Sequence, residues 1–187
     1  AQGNPFFIAE LVRHVHAGAL DLEAGDDPGR RLVLDDVLWS RIQRLPEDAR
    51  EVLEILAASG RPLRLVDLRA CLDDAIDERS ALAMLRAGRL ARGTGRAETD
   101  EVEAYHDRVR ETVASRLSPE VSRDRHRRLA SALEASGVAD PEVLGVHFLG
   151  AGEPARAATF FAEAADEAAE ALAFERAAGL YRRAIEH

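Results

Sequence analysis

The segment Tyr105–Leu117 constrains the fold more than any other part of the sequence, because two periodicities meet in it. Before the junction, valine and alanine alternate with glutamate up to His106, which is the period-2 pattern of a short strand. After it, Val109, Val113 and Leu117 recur at every fourth position and form the apolar stripe of an amphipathic helix. The sequence therefore predicts a strand that passes directly into a helix.

This junction is also the first candidate for a functional site. Asp107 is expected to cap the helix, since an aspartate at the N-cap accepts a hydrogen bond from a backbone N–H of the first turn. His106 would then lie beside a helix N-terminus, where unpaired N–H groups and the helix dipole favour an anion. The alternative is that His106 is a junction histidine that only hydrogen-bonds to the backbone.

Residues 32–118 have the order of a winged helix, in which helices are followed by a β-hairpin that forms the wing. Asp35 or Asp36 is expected to cap the first of these helices. Apolar spacing predicts helices that end near four positions: Leu45, Gly60, Leu72 and Gly88. Strands are expected from Leu90 and over Glu101–His106, with a turn at residues 93–95 between them.

Residues 119–187 read as purely helical. Pro119 is expected at the first position of a helix that runs to Ser136, and the arginine-rich run 123–128 on it is predicted to be a solvated or interdomain face. Two alanine-rich helices, Ala155–Ala171 and Phe174–Glu186, have together the size of a tetratricopeptide unit of about 34 residues. Such a unit cannot bury its apolar face alone, so further repeats are expected beyond His187.

The predicted fold class is therefore mainly α, a winged-helix-like domain with a small β-hairpin followed by tetratricopeptide-like helical hairpins. In the last helix the expected inward residues are Ala177, Ala178, Tyr181, Ala184 and Ile185. Residues 1–22 form a separate helical segment, in which Asn4 is a suitable N-cap and Pro5 a suitable first helical residue. Because the chain begins without methionine in mid-motif, we expect it to be part of a longer protein.

Composition excludes several functions. The formal net charge of -9 disfavours general nucleic-acid binding, which depends on neutralising phosphates. All 25 basic residues are arginine, so a P-loop lysine and a Schiff-base lysine are absent from this chain. The single cysteine, Cys71, excludes an internal disulfide and a cysteine-rich zinc site. No apolar run of transmembrane length and no signal peptide are visible, so no membrane partner and a cytoplasmic location are expected.

Two other functional classes have candidate residues. An enzyme could use His14 or His16 with Glu10, or His126 and His147, but such pairs are too few for a metal site, and Ser115 and Ser118 lack the glycine context of a nucleophile elbow. A DNA-binding winged helix, the alternative function, would need a basic recognition helix. The predicted helix Asp77–Ala87 is instead balanced in charge, with Arg79 and Arg86 offset by Asp77 and Glu78.

Three features occur in a specific order: GNPFFIAELVR at the start, a winged-helix-like middle that ends in YHDRVRETV, and tetratricopeptide-like helices. This order resembles the region C-terminal to the ATPase core in bacterial signal-transduction ATPases with numerous domains (STAND). In that family a Gly-x-Pro proline packs against the adenine, which implies this role for Pro5. The histidine of the Met-His-Asp motif contacts the β-phosphate of ADP, which implies this role for His106, although Tyr105 replaces the methionine.

The resemblance implies a non-catalytic regulatory and interaction region. The winged helix would clamp ADP on an ATPase domain of the same protein, and the helical repeats would sense a protein partner or a small inducer. ADP or ATP is expected in the full-length protein, which could carry a kinase, cyclase or transcription-factor output domain. This chain lacks the phosphate loop and the magnesium-binding acids, so we expect no catalytic or metal residues, little nucleotide affinity and no hydrolysis in it.

Overall fold

The computed structural model describes residues 34–93, 97 and 99–187. Pro5, the predicted helical segment 1–22 and residues 94–95 of the predicted turn lie outside the described residues. The described part is mainly helical and has one small antiparallel sheet of three strands. Its elements are α1 (Leu34–Gln43), α2 (Glu47–Ser59), β1 (Leu63–Arg64), α3 (Leu65–Ala70), α4 (Glu78–Ala87), β2 (Ala91–Gly93), β3 (Glu101–Ala104), α5 (Asp107–Ala114), α6 (Pro119–Ser136), α7 (Pro141–Gly150), α8 (Pro154–Glu170) and α9 (Phe174–Glu186).

The described chain has a first part, from α1 to α5 with the sheet, and a second part, from α6 to α9. Helix α2 forms the centre of the first part and packs against α4, α5, β3 and also α6. It begins after Pro46 and ends at Gly60, whose φ of 67° is the left-handed conformation that glycine adopts without strain. Val52, Leu53 and Ile55 are each 0% exposed. Full burial of such a side chain stabilises the fold by about 1.5–3 kcal/mol, so α2 anchors the core.

The sheet has the order β1-β3-β2, with Leu63 opposite Val102 and Ala91 opposite Ala104. Gly93 lies so close to β3 that a Cβ there would be 2.3 Å from the carbonyl oxygen of Glu101, and the pairing therefore requires glycine. Strand β1 was not predicted, because two residues are too few to show a period. Strand β3 ends at Ala104 and not at His106, since His106 already belongs to the start of α5.

The second part is a succession of helices, each packed on its neighbour in sequence from α6 to α9. Helix α6 begins as expected, with Pro119 at its first position and the Ser118 hydroxyl accepting a hydrogen bond from the N–H of Val121 at 3.3 Å. None of the helices in the described part of the chain is both long and apolar enough to cross a membrane.

The arginine run on α6 is divided between solvent and the first part of the chain. Arg123 and Arg127 keep about half of their side-chain surface exposed. Arg125 contacts Glu51 and Glu54 of α2, and Arg128 contacts Glu51 and Asp73. The run therefore joins α6 to the helices around the sheet.

Helix α9 buries a narrower face than the sequence predicted. Ala177 and Leu180 are buried, whereas Ala178, Tyr181 and Ile185, all expected inward, are exposed. Helix α9 packs mainly on α8, and Arg176 and Arg183 also pair with Glu142 of α7. The apolar parts of Tyr181 and Ile185 remain exposed.

Candidate functional site

The β3–α5 junction places His106 at the N-cap of α5. Its backbone is extended, with φ -150° and ψ 146°, and its ring Nδ1 accepts a hydrogen bond from the N–H of Arg108 at 3.2 Å. The prediction that Asp107 is the cap was wrong, because the chain enters helical geometry one residue earlier. Asp107 is the first residue of the helix, and its carboxylate lies 3.7 Å from Nε of Arg110.

This cap determines which ring nitrogen of His106 carries hydrogen. A nitrogen that accepts a hydrogen bond cannot hold a proton at the same time, so the neutral ring carries its hydrogen on Nε2.

The imidazole lines a shallow depression of about 30 Å³, together with residues of α2, β3, α5 and the α2–β1 loop. This volume has room for a few water molecules at most, so a nucleotide cannot be enclosed here. Two arginines and two acids share the lining: Arg61, Arg110, Glu103 and Asp107. Glu103 is paired with Arg92 at 2.8 Å and Asp107 with Arg110, whereas Arg61 makes no ion pair within the described residues.

Helix α5 is held in place by both packing and charge. Val109 and Val113 are each 0% exposed. The guanidinium of Arg108 binds both carboxylate oxygens of Asp35 on α1, with Nε at 2.6 Å from Oδ1. The prediction that Asp35 or Asp36 caps α1 was wrong, because both lie in its first turn. Asp35 links α1 to α5 through Arg108, and Asp36 links it to Arg116, which follows α5.

The structure also brings together two histidines that the sequence separates by 21 positions. The Nδ1 atoms of His126 and His147 lie 3.0 Å apart, so one ring donates a hydrogen bond to the other. Burial lowers the pKa of both rings, and the pKa of His147, which is only 1% exposed, falls to about 4. Within the described residues, no three His, Cys, Asp or Glu side chains are grouped so that they could hold a metal ion.

The other residues considered for chemistry have structural roles here. Ser115 donates to the carbonyl oxygen of Thr112 at 3.3 Å, and Ser118 caps α6. Cys71 is 2% exposed, and burial raises the pKa of its thiol to about 12, which disfavours the reactive thiolate. Glu10, His14, His16 and Pro5 lie outside the described residues.

Comparisons with known protein families, curated proteins and solved structures found no match. The functional argument therefore depends on the geometry of the described residues.

Proposed function

We propose that this chain is a non-catalytic regulatory and interaction region of a cytoplasmic, multidomain signal-transduction ATPase of the STAND type. In this proposal a winged-helix-like unit holds ADP on the ATPase domain of the same protein. Tetratricopeptide-like helices then sense a protein partner or a small inducer. ADP or ATP is bound by the ATPase domain, and the output domain follows or precedes these parts.

The topology around the sheet supports a winged-helix unit. The order α2, β1, α3, α4, β2, β3 is that of a helix, a strand, two helices and a hairpin. Strand β3 pairs with both β1 and β2, so the hairpin is attached to the helical part through the short first strand. A winged helix has this connectivity, with β2 and β3 as its wing.

The observation that carries the proposal is the position of His106. His106 caps α5 and lines the same depression as Arg61 and Arg110. A phosphate that approached this surface would meet an imidazole, two guanidinium groups and the positive end of a helix dipole. The depression is too shallow to bind a nucleotide alone, which fits a clamp that contacts a phosphate held by another domain.

The end of the helical part supports a role in interaction. Four large apolar side chains are exposed on α9 and the turn before it: Leu172, Phe174, Tyr181 and Ile185, with exposed fractions of 72%, 66%, 40% and 85%. Exposed apolar groups clustered on one helical hairpin are typical of a surface that another element covers. In this proposal that element is a further repeat or a partner.

The test measures ADP release from the longer protein that contains this chain and an ATPase domain. Wild type should retain ADP through purification, and His106→Ala should release it at least tenfold faster, which corresponds to the loss of about 1.4 kcal/mol from one charge-assisted hydrogen bond. Bound nucleotide is quantified by chromatography after denaturation, and release by displacement of a fluorescent analogue.

A matched variant separates the clamp from the cap. His106→Ser retains a good N-cap but removes the imidazole donor, whereas His106→Ala removes both. If both variants release ADP rapidly while serine keeps the thermal stability of wild type, the phosphate contact explains the effect. If serine retains ADP like wild type, His106 only caps α5 and the clamp is refuted.

A further inference from the structure

Helix α9 carries an apolar stripe that stays exposed in the described part of the chain. The stripe consists of Phe174, Ala178, Tyr181 and Ile185, which recur at spacings of four, three and four residues. At about 100° per residue, their side chains fall within about 60° of one another around the helix. A stripe this narrow, with this spacing, is the seam of a helix that pairs with another helix, since a helix that packs on a domain core has a broader apolar face.

The other sides of α9 already have their contacts. Ala177 and Leu180 are buried, and the helix packs mainly on α8. Arg176 and Arg183 pair with Glu142 of α7 at 2.9 and 3.3 Å. Helical periodicity puts both arginines on the side opposite the apolar stripe. The stripe is therefore a separate face of α9, and another helix can reach it without displacing α7 or α8.

Two exposed charges of opposite sign lie beside the stripe. Glu175 and Arg182 are seven positions apart, so both project from the same side of α9, next to the stripe and away from Ala177. Arg182 donates a hydrogen bond to the carbonyl oxygen of Ala178 in its own helix at 3.2 Å. Neither Glu175 nor Arg182 forms an ion pair within the described residues. The charged border of the stripe is thus open to a partner.

The apolar stripe is complementary to itself when two copies of α9 run antiparallel. Phe174 then lies opposite Ile185 of the second copy, and Ala178 lies opposite Tyr181. Because a two-fold axis repeats each contact, the bulky ring of each Tyr181 meets a small Ala178. A parallel pair would instead set tyrosine against tyrosine and alanine against alanine, which crowds one layer and leaves the next one loosely packed.

The same alignment also matches charge. In an antiparallel pair, a position beside the seam faces the equivalent position of the second helix, so Glu175 lies opposite Arg182 of the second copy. The two-fold axis produces this ion pair twice. In a parallel pair Arg182 would face the uncharged Ala177, and no ion pair would form. Size and charge therefore favour the same antiparallel arrangement.

We propose that two copies of this chain associate through the α9 stripe as an antiparallel pair related by a two-fold axis. Helix α9 has 13 residues and is about 20 Å long, so the interface is small and we expect a weak dimer, with a Kd of roughly 10–100 μM. This inference names the partner of the α9 face, and it rests on the interaction role in the proposed function. It does not depend on the clamp at His106, which the ADP-release assay tests separately.

The test measures the mass of the full 187-residue chain by sedimentation equilibrium at rising protein concentration. The chain should have the mass of one copy, 20.4 kDa, at low concentration. The mass should approach twice this value at concentrations several-fold above the Kd. Circular dichroism of each variant shows that the fold is retained, which is expected because the substituted side chains are exposed.

Charge variants test the arrangement itself. Glu175→Arg and Arg182→Glu each place like charges opposite one another, so each variant alone should dimerise at least tenfold more weakly than wild type. A mixture of the two variants should recover the dimer, because the two arginines of one chain then face the two glutamates of the other. Arg79→Glu, an exposed change of the same charge on α4, is the matched control and should dimerise like wild type.

Three results would overturn this proposal. Wild type that keeps the mass of one copy at all concentrations would leave the α9 stripe to a further repeat or another protein. A dimer that forms equally well in Arg182→Glu would use a different surface. Failure of the mixed charge variants to recover a dimer that each has lost would show that Glu175 and Arg182 do not face each other across the interface.

Discussion

The contact between Arg125 on α6 and Glu54 on α2 offers a sharp test of how the two parts of the chain are joined. Arg125 lies 71 positions from Glu54, and its Nε and Nη2 are 3.2 and 3.0 Å from Oε2 of that residue. Its Nη1 lies 3.4 Å from Glu51. Only 12% of the Arg125 and Glu54 side chains is exposed, so each charge depends on the other for most of its solvation.

The magnitude follows from this burial. Removal of one partner from a fully buried ion pair costs about 3–5 kcal/mol, and the remaining exposure of both side chains reduces this to roughly 2–4 kcal/mol for Arg125→Met. For a domain of this size, that loss lowers Tm by about 4–16 °C. Glu54→Gln should cost less, because the amide oxygen still accepts a hydrogen bond. The double variant should recover part of the loss, with a coupling energy of about 1–2 kcal/mol.

The assay is urea unfolding followed by circular dichroism, with Arg127→Met as the matched control. Arg127 lies on the same helix, but its side chain is 54% exposed and its Nε is as far as 3.7 Å from the Glu153 carboxylate. Its replacement should therefore change the free energy of unfolding by less than about 0.5 kcal/mol. Equal losses for Arg125→Met and Arg127→Met, or an additive double variant, would refute the inference that Arg125 joins α6 to α2.

Two further predictions concern packing and pH. Gly145→Ala would place a Cβ 2.6 Å from the ring of Phe161 and should lower the free energy of unfolding in urea by about 1–3 kcal/mol. Gly179→Ala has no atom within 4 Å of the new Cβ and should stabilise α9 by up to about 1 kcal/mol. Equal effects of the two substitutions would contradict the close approach of α7 and α8. Burial lowers the pKa of His147 from 6.5 to about 4. As the pH falls, the imidazole is therefore protonated in the unfolded chain before it is protonated in the folded one. Up to about 3 kcal/mol of stability that is present above pH 6.5 is lost as the pH falls toward 4. His147→Gln should flatten unfolding free energy against pH in that window, and an unchanged slope would show that His147 does not titrate as inferred.

Local signals in the sequence were sufficient for most helix boundaries. Gly60 ends α2, Pro119 begins α6 and Asp140 caps α7, as their residue types predict. Capping depends on a side chain and a backbone group only a few positions apart, so the sequence contains the necessary information. The same reasoning failed by one residue at α5, where His106 and Asp107 are both able to cap and the backbone conformation decides between them.

Contacts between segments that are far apart in the sequence could not be predicted from such local signals. Strand β1 exists because residues near position 102 lie beside it, and a segment of two residues carries no period of its own. His126 and His147 were both candidates for chemistry, yet only the packing of α6 on α7 shows that their rings share a hydrogen bond. The burial of the Arg86 Nε and Nη2 atoms likewise depends on tertiary packing, which the balanced charge of its own helix does not reveal.

The sequence by itself determined a mainly helical chain, the position of the strand–helix junction and the chemistry available there, because propensity, periodicity and capping act over a few residues. The tertiary structure alone decided which charges lost their contact with water. Arg125 gained acids from α2, whereas the donor edge of Arg86 was buried without an acceptor in the described part of the chain. Desolvation and pairing depend on which surfaces meet, and the identity of a residue does not specify that.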